Sequence, residues 1–408
     1  MTEIANTPEL RFPNYENSWF SYKLNDISER VTRKNKNLES QRPLTISGQL
    51  GLIDQIEYFN KSVSSKNLTG YTLIKKGEFA YNKSYSNGYP LGAIKKLERY
   101  DLGILSSLYI CFSFDENIDK SFMKNYFEST KWYREVANIA VEGARNHGLL
   151  NIPVNDFFNI NINLPIQYEQ EKIGEFFSKL DRQIELEEEK LELLEQQKRG
   201  YMQKIFLQEL RFKDENGNEY PEWEDKKLLN VIAIQNGYAF KSNLFSEKGM
   251  PIIRITDINK STVKKGTVYY PESIEINERF KIKQYDILIA MSGATTGKVG
   301  KYISEKPSLL NQRIGKFVMK KGTDNNFMFT YLNSLYFKKE LSKLLVAGAQ
   351  PNISSQDIEN INLFIPINEE QRKIGEFFNE LDELIEKQSS KIGVLKQRKK
   401  GFLQKMFV

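Results

Sequence analysis

The sequence predicts an α+β protein. Two mixed α/β domains are separated by two long helices that form an antiparallel coiled coil, and the whole is an internal pseudo-twofold repeat. Three observations predict it. Residues 160–207 match residues 361–408 at a constant offset of 201, with 24 identities in 48 positions and no gap. Apolar residues within these segments recur at alternating steps of four and three, the period of a coiled-coil seam. The text before each segment alternates short apolar runs with polar turns, as mixed strand and helix does. At 408 residues the chain exceeds one ordinary domain of about 100–200 residues. The boundaries fall at 1–164 for the first domain, 165–208 for a central helix, 209–365 for the second domain and 366–408 for a C-terminal helix.

The seam of the first helix is Ile173, Phe177, Leu180, Ile184, Leu191 and Leu194, with polar breaks at Glu187 and Lys198. The second repeats it as Ile374, Phe378, Leu381, Ile385, Ile392 and Leu395, with breaks at Gln388 and Lys399. Each helix runs about 40 residues, near 60 Å at 1.5 Å per residue. Pro165 and Pro366 stand just before them, where a helix start tolerates proline. So narrow an apolar stripe needs a partner. Either each helix packs on its own domain or, as preferred here, the two pair with each other. Their charges favour pairing: residues 168–207 carry a net −3 and residues 369–408 a net +2. With +6 overall, the globular parts hold a net +7.

Within the second domain, Pro251–Ile255, Asp286–Met291 and Lys316–Met319 read as strands and Asn326–Leu345 as one helix. In the first, Glu78–Tyr81 and Ile104–Phe114 read as strands and Phe122–Ala140 as one helix. The turns between them carry groups suited to nucleic acid. One runs from Asn82, Lys83, Ser84 and Tyr85 to Gly88. Its counterpart in chain order is Ser292–Lys298, with Thr295, Thr296 and Lys298. Others are Asn236–Ser242 with Tyr238 and Lys241, Asn311-Gln312-Arg313, Gly143–Asn146 with Arg145 and Asn146, and Gly348–Asn352 with Gln350 and Asn352. Arg254 joins them. Asn, Gln and Arg can bind base edges bidentately, whereas Lys, Ser, Thr and backbone amides suit phosphates.

Much is excluded. One cysteine, Cys111, and one histidine, His147, allow no disulfide framework and no Cys/His zinc site. Gly293–Lys298 is one residue short of a phosphate loop, and no G-x-G-x-x-G occurs. No nearby signature supports His147 as a base. The chain therefore offers no catalytic constellation and no metal site. MTEIANTPELRF is not a signal peptide and no apolar run reaches 18 residues, so a cytoplasmic protein that spans no membrane is expected.

The runs Asn236–Ser242, Pro251–Ile258, Asp286–Gly293 and Gly348–Ser354 resemble the specificity (S) subunit of type I restriction-modification enzymes. So, most specifically, does Pro366–Ile374, and the resemblance covers nearly the whole chain. It implies two target-recognition domains, each reading one half of a bipartite, asymmetric site in double-stranded DNA. It implies helices that hold the halves apart and dock two modification (M) subunits, which bind S-adenosylmethionine and methylate adenine. Restriction (R) subunits would supply cleavage driven by ATP with Mg. The chain itself would hold no cofactor. The alternative is a stand-alone DNA-binding or scaffold protein that uses the coiled coil to dimerise.

Overall fold

The computed structural model describes residues 6–61, 63–85, 88–140, 150–259, 261–346 and 352–408. The chain forms two compact units, one of Met1–Glu188 with Ser390–Val408 and one of Glu189–Ser389. Each is completed by a piece of helix from the other copy of the repeat.

The long helices are Gln167–Phe206 and Asn368–Lys405, and Pro165 and Pro366 each precede their helix by two residues. In the first unit Ile173, Phe177, Ile184, Ile392 and Leu395 are buried and Leu180 half-buried. In the second, Ile374 and Phe378 are buried and Leu191, Leu194, Leu381 and Ile385 half-buried. All twelve seam residues thus avoid full exposure. Three of the four polar breaks, Glu187, Lys198 and Lys399, are filled by ion pairs across the seam. In the first unit Lys399 Nζ meets Asp181 Oδ1 at 2.5 Å and Lys391 Nζ meets Glu187 Oε1 at 2.5 Å. In the second, Lys198 pairs with Asp382, and Tyr201 stands edge-on to Phe377 at 5.3 Å. Numbers rise on one helix as they fall on the other, so each unit contains an antiparallel helix pair. Each helix also packs on a domain: both readings of the apolar stripe hold at once.

The same latch closes both units. Asp324 caps the helix Asn325–Asn333 by accepting from Phe327 N at 2.8 Å, and its own N donates to Gln371 Oε1 at 2.9 Å. Gln371 Nε2 donates in turn to Pro366 O at 2.8 Å. In the first unit Asp119, Phe122, Gln170 and Pro165 repeat each of these bonds. Beneath the latch lies a glycine, Gly174 or Gly375. A Cβ on Gly375 would stand 2.6 Å from Asp324 Oδ1 and 2.7 Å from Phe327 N. Gly200, on an open helix face, has nothing within 4 Å of its Cβ position. Helical glycine ordinarily costs about 0.5–1 kcal/mol against alanine. Gly200→Ala is therefore expected to stabilise by about that much, while Gly375→Ala destabilises by about 1–3 kcal/mol through overpacking. Thermal unfolding of the two variants checks this; shifts of the same sign would refute the latch.

In the second unit a six-stranded sheet includes Ile232–Asn236, Ile314–Met319, Ile287–Ala290 and Val299–Tyr302 as neighbours, all antiparallel. The first unit matches its centre with Ser28–Arg30, Tyr109–Phe114, Phe79–Asn82 and Ala93–Lys96, also antiparallel. Alternate residues of these strands, Phe79, Tyr81, Phe112 and Phe114, fill one aromatic core with Phe122, Phe127 and Trp132. The residues between them, Ala80 and Cys111, face a second core with Leu44, Leu52 and Ile74, so the sheet is covered on both faces.

Three expectations need correction. Phe122–Ala140 is two helices, Lys120–Glu128 and Tyr133–Ile139. Asn326–Leu345 is likewise Asn325–Asn333 and Leu335–Val346, broken at Ser334, whose extended backbone ends the first helix and whose Oγ caps the second by accepting from Phe337 N. Ile104–Phe114 is two strands, Leu102–Leu105 and Tyr109–Phe114, separated by a turn.

Candidate nucleic-acid interface

Antiparallel register decides where the turns lie. In the second unit Asn236 pairs with Gly315, Ala290 with Ile314 and Ile289 with Val299. The segments after Asn236 and Ala290 and before Ile314 and Val299 therefore emerge at one end of the sheet. Main-chain bonds tie them together there. Tyr238 N donates to Leu310 O at 2.8 Å, Gln312 N to Tyr238 O at 2.9 Å and Met291 N to Arg313 O at 2.8 Å. Ile353 N donates to Met291 O at 2.9 Å, and Ser292 bridges Asn352. Gly237 sits so close to the Asn311 carbonyl that no Cβ fits. Gly293 and Gly297 turn the next loop with φ near +85°, which glycine adopts at little cost.

This end gathers most of the second domain's sequence candidates. Tyr238, Lys298, Gln312, Arg313 and Asn352 are exposed there. Thr295 and Thr296 are half-buried and serve the loop: Thr296 Oγ1 donates to Gly293 O at 2.6 Å and Thr295 Oγ1 to Ile255 O at 3.4 Å. Lys241 is exposed beyond Phe240, whose ring packs between Tyr238 and Tyr270. Arg254, next to Ile255, is held by its own loop, with Nη2 on Thr267 Oγ1 at 3.3 Å and Asp257 beside it. Gln350 lies outside the described residues.

In the first unit Asn82 pairs with Tyr109 and Ala93, so the loop after Asn82 leaves from the corresponding sheet end. Asn82 Oδ1 accepts from Ser84 N at 3.1 Å, and Lys83 O from Leu150 N at 2.9 Å, the counterpart of the Ile353–Met291 bond. Asn82, Lys83 and Ser84 are half-buried and Tyr85 is exposed. Arg145, Asn146 and His147 lie outside the described residues. One element was missed in the sequence. The turn Ser106-Ser107-Leu108 occupies the place that Asn311-Gln312-Arg313 holds in the second unit. In both, the residue after the turn donates its N–H to the turn's first carbonyl, Tyr109 to Ser106 at 3.2 Å and Ile314 to Asn311 at 2.9 Å. Two adjacent serines inside an apolar run were the signal that could have revealed it.

Among the described residues no group of His, Cys, Asp and Glu side chains could hold a metal ion, and no helix is long and apolar enough to cross a membrane. Burial pushes the Cys111 thiol up to about 12, so at neutral pH it is no nucleophile.

Two similar units, each setting a loop-bearing sheet beside an antiparallel helix pair, define a class of tandem α+β proteins. Comparison with known proteins gives its family. The model of the type I restriction modification DNA specificity domain matches residues 220–396. The type I restriction enzyme MjaVIII specificity subunit of Methanocaldococcus jannaschii is 32% identical over 311 residues, which cover 73% of this chain and 68% of that one. The crystal structure of a type I restriction-modification S subunit from M. genitalium aligns with a TM-score of 0.60 at 18% identity, covering 98% of this chain and 99% of that one. A chain from a type I restriction-modification complex, solved to explain its assembly and conformational transition, aligns at 0.54 and 18% identity, covering 95% and 97%. At such identity these two show the fold alone. The chain belongs to the specificity subunits of type I restriction enzymes.

Proposed function

We propose that each unit reads one half of a bipartite, asymmetric site in double-stranded DNA through its loop-bearing sheet end. The long helices set the spacing between the halves and dock two M subunits. The chain carries no catalytic residue; the M subunits bind S-adenosylmethionine and methylate adenine, and R subunits use ATP and Mg. The observation that supports this reading best is the gathering of Tyr238, Lys298, Gln312, Arg313 and Asn352, distant in sequence, on one exposed face. Amide, guanidinium and ammonium groups together are what base edges and phosphates require. The net +7 outside the helices agrees, since phosphate contacts dominate affinity for DNA.

Exchanging residues 210–357 for the equivalent domain of a relative is expected to rewrite one half-site and leave the other half and the spacer length unchanged. Sequencing of methylated adenines in cells carrying the exchanged chain with its M subunit reads all three. A swap that rewrote both halves would sink the modular reading.

A further inference from the structure

We propose that the equivalent turns Ser106–Leu108 and Asn311–Arg313 are base-reading elements of contrasting chemistry. Leu108 packs on a thymine methyl group in one half-site, and Arg313 donates to a guanine in the other. This rests on the DNA-reading role proposed above and deepens it by assigning residues to bases.

Both turns feed an interior strand of their sheet. Tyr109–Phe114 is paired on both sides, by Ser28–Arg30 and Phe79–Asn82, and Ile314–Met319 is flanked by Ile232–Asn236 and Ile287–Ala290. A three-residue turn on a doubly paired strand is anchored by that pairing, and discriminating contacts need fixed placement. Exposure matches position by position: the first residue is half-buried and the next two exposed in each turn.

The side chains differ in what they can do. Leu108 is 57% exposed. It can make no hydrogen bond and gains only by losing apolar surface to water. On the major-groove edges the apolar feature is the thymine C5-methyl group. Arg313 spends only its backbone on the fold, its N–H on Asn311 Oδ1 at 3.1 Å and its carbonyl on Met291 N. Its exposed guanidinium makes no ion pair or hydrogen bond among the described residues, so its fork is available for guanine O6 and N7.

The test uses the complex of this chain with its M subunits. Methylated-adenine sequencing first defines the two half-sites of the parent. Leu108→Gln is then expected to change one position, an A·T pair, in one half-site, and Arg313→Leu one G·C position in the other. On the parent complex, duplexes with deoxyuridine at the thymines of the Leu108 half-site should bind about fivefold or more weakly, because only the methyl group is removed. With Leu108→Gln that difference should vanish. Unchanged motifs in both variants, or equal binding of thymine and uracil duplexes by the parent, would overturn the assignment of the turns. Absence of any bipartite motif in the parent would instead overturn the DNA-reading role beneath it.

Discussion

Arg211→Leu is expected to destabilise the second unit by about 3 kcal/mol or more, because it strands a buried charge. Glu370 is wholly buried, and Arg211 grips its carboxylate with Nε at 3.2 Å and Nη2 at 2.6 Å. Trp223 Nε1 adds a third bond at 3.1 Å. Without the guanidinium, only the indole remains to replace lost water, and a carboxylate cannot be left so in a core. The double variant Arg211→Leu with Glu370→Gln should recover much of the loss, since the charge is gone. Urea unfolding of parent, single and double variants decides. A single variant as stable as the parent would show that the carboxylate finds solvent, and equal losses in single and double would put the effect down to packing.

Phe378→Ala should cost about 3–5 kcal/mol, the usual range for a buried phenylalanine. Its side chain is 1% exposed, in the core that joins the helix ends Ile205 and Phe206 to Trp223, Phe327 and Phe337. That core draws on both long helices, the strands Ile232–Asn236 and Ile287–Ala290 and the helix Asn325–Asn333, so removing the ring weakens all of them together. Leu193, on the same helix pair but 58% exposed, serves as control. Leu193→Ala should stay within about 0.5 kcal/mol. Urea midpoints for the two variants should differ accordingly; equal midpoints would mean that the seam is not the packing surface.

How much of this was legible depends on the range of the interactions. The helices were legible because a 3.5-residue period is local, and Ile173 and Phe177 announce their face without knowledge of a partner. Which acids answer Lys198 and Lys399 was not legible, because Asp382 and Asp181 lie far along the chain. The latch was half legible. Gln170 and Gly174 were visible as repeated text, but their partner Asp119 comes from a distant segment. The turn at Ser106–Leu108 was hidden because Leu108 continues an apolar run, and only pairing with Phe79–Asn82 shows where the strand restarts. The helix breaks at Ser129 and Ser334 escaped for a similar reason. Serine is tolerated within helices, and here its hydroxyl bonds to nearby backbone groups, Tyr126 O and Phe337 N.

The exchange of helix ends between the repeats bears on the order in which the protein can be made. Leu403, Met406 and Phe407 belong to the core of the first unit, where Phe407 packs on Phe122 at 5.2 Å and stacks on Phe177 at 5.7 Å. Synthesis runs from the N-terminus, and domains generally close in that order. Here the second unit has all its residues once Ser389 is made, whereas the first still waits for 390–408. At about 5–20 residues per second, the aromatic core around Trp19 and Phe122 lacks Leu403, Met406 and Phe407 while the whole second unit is being made. The first unit's core is thus completed after the second unit's, and until then the places of Leu403, Met406 and Phe407 beside Phe122 and Phe177 are unfilled.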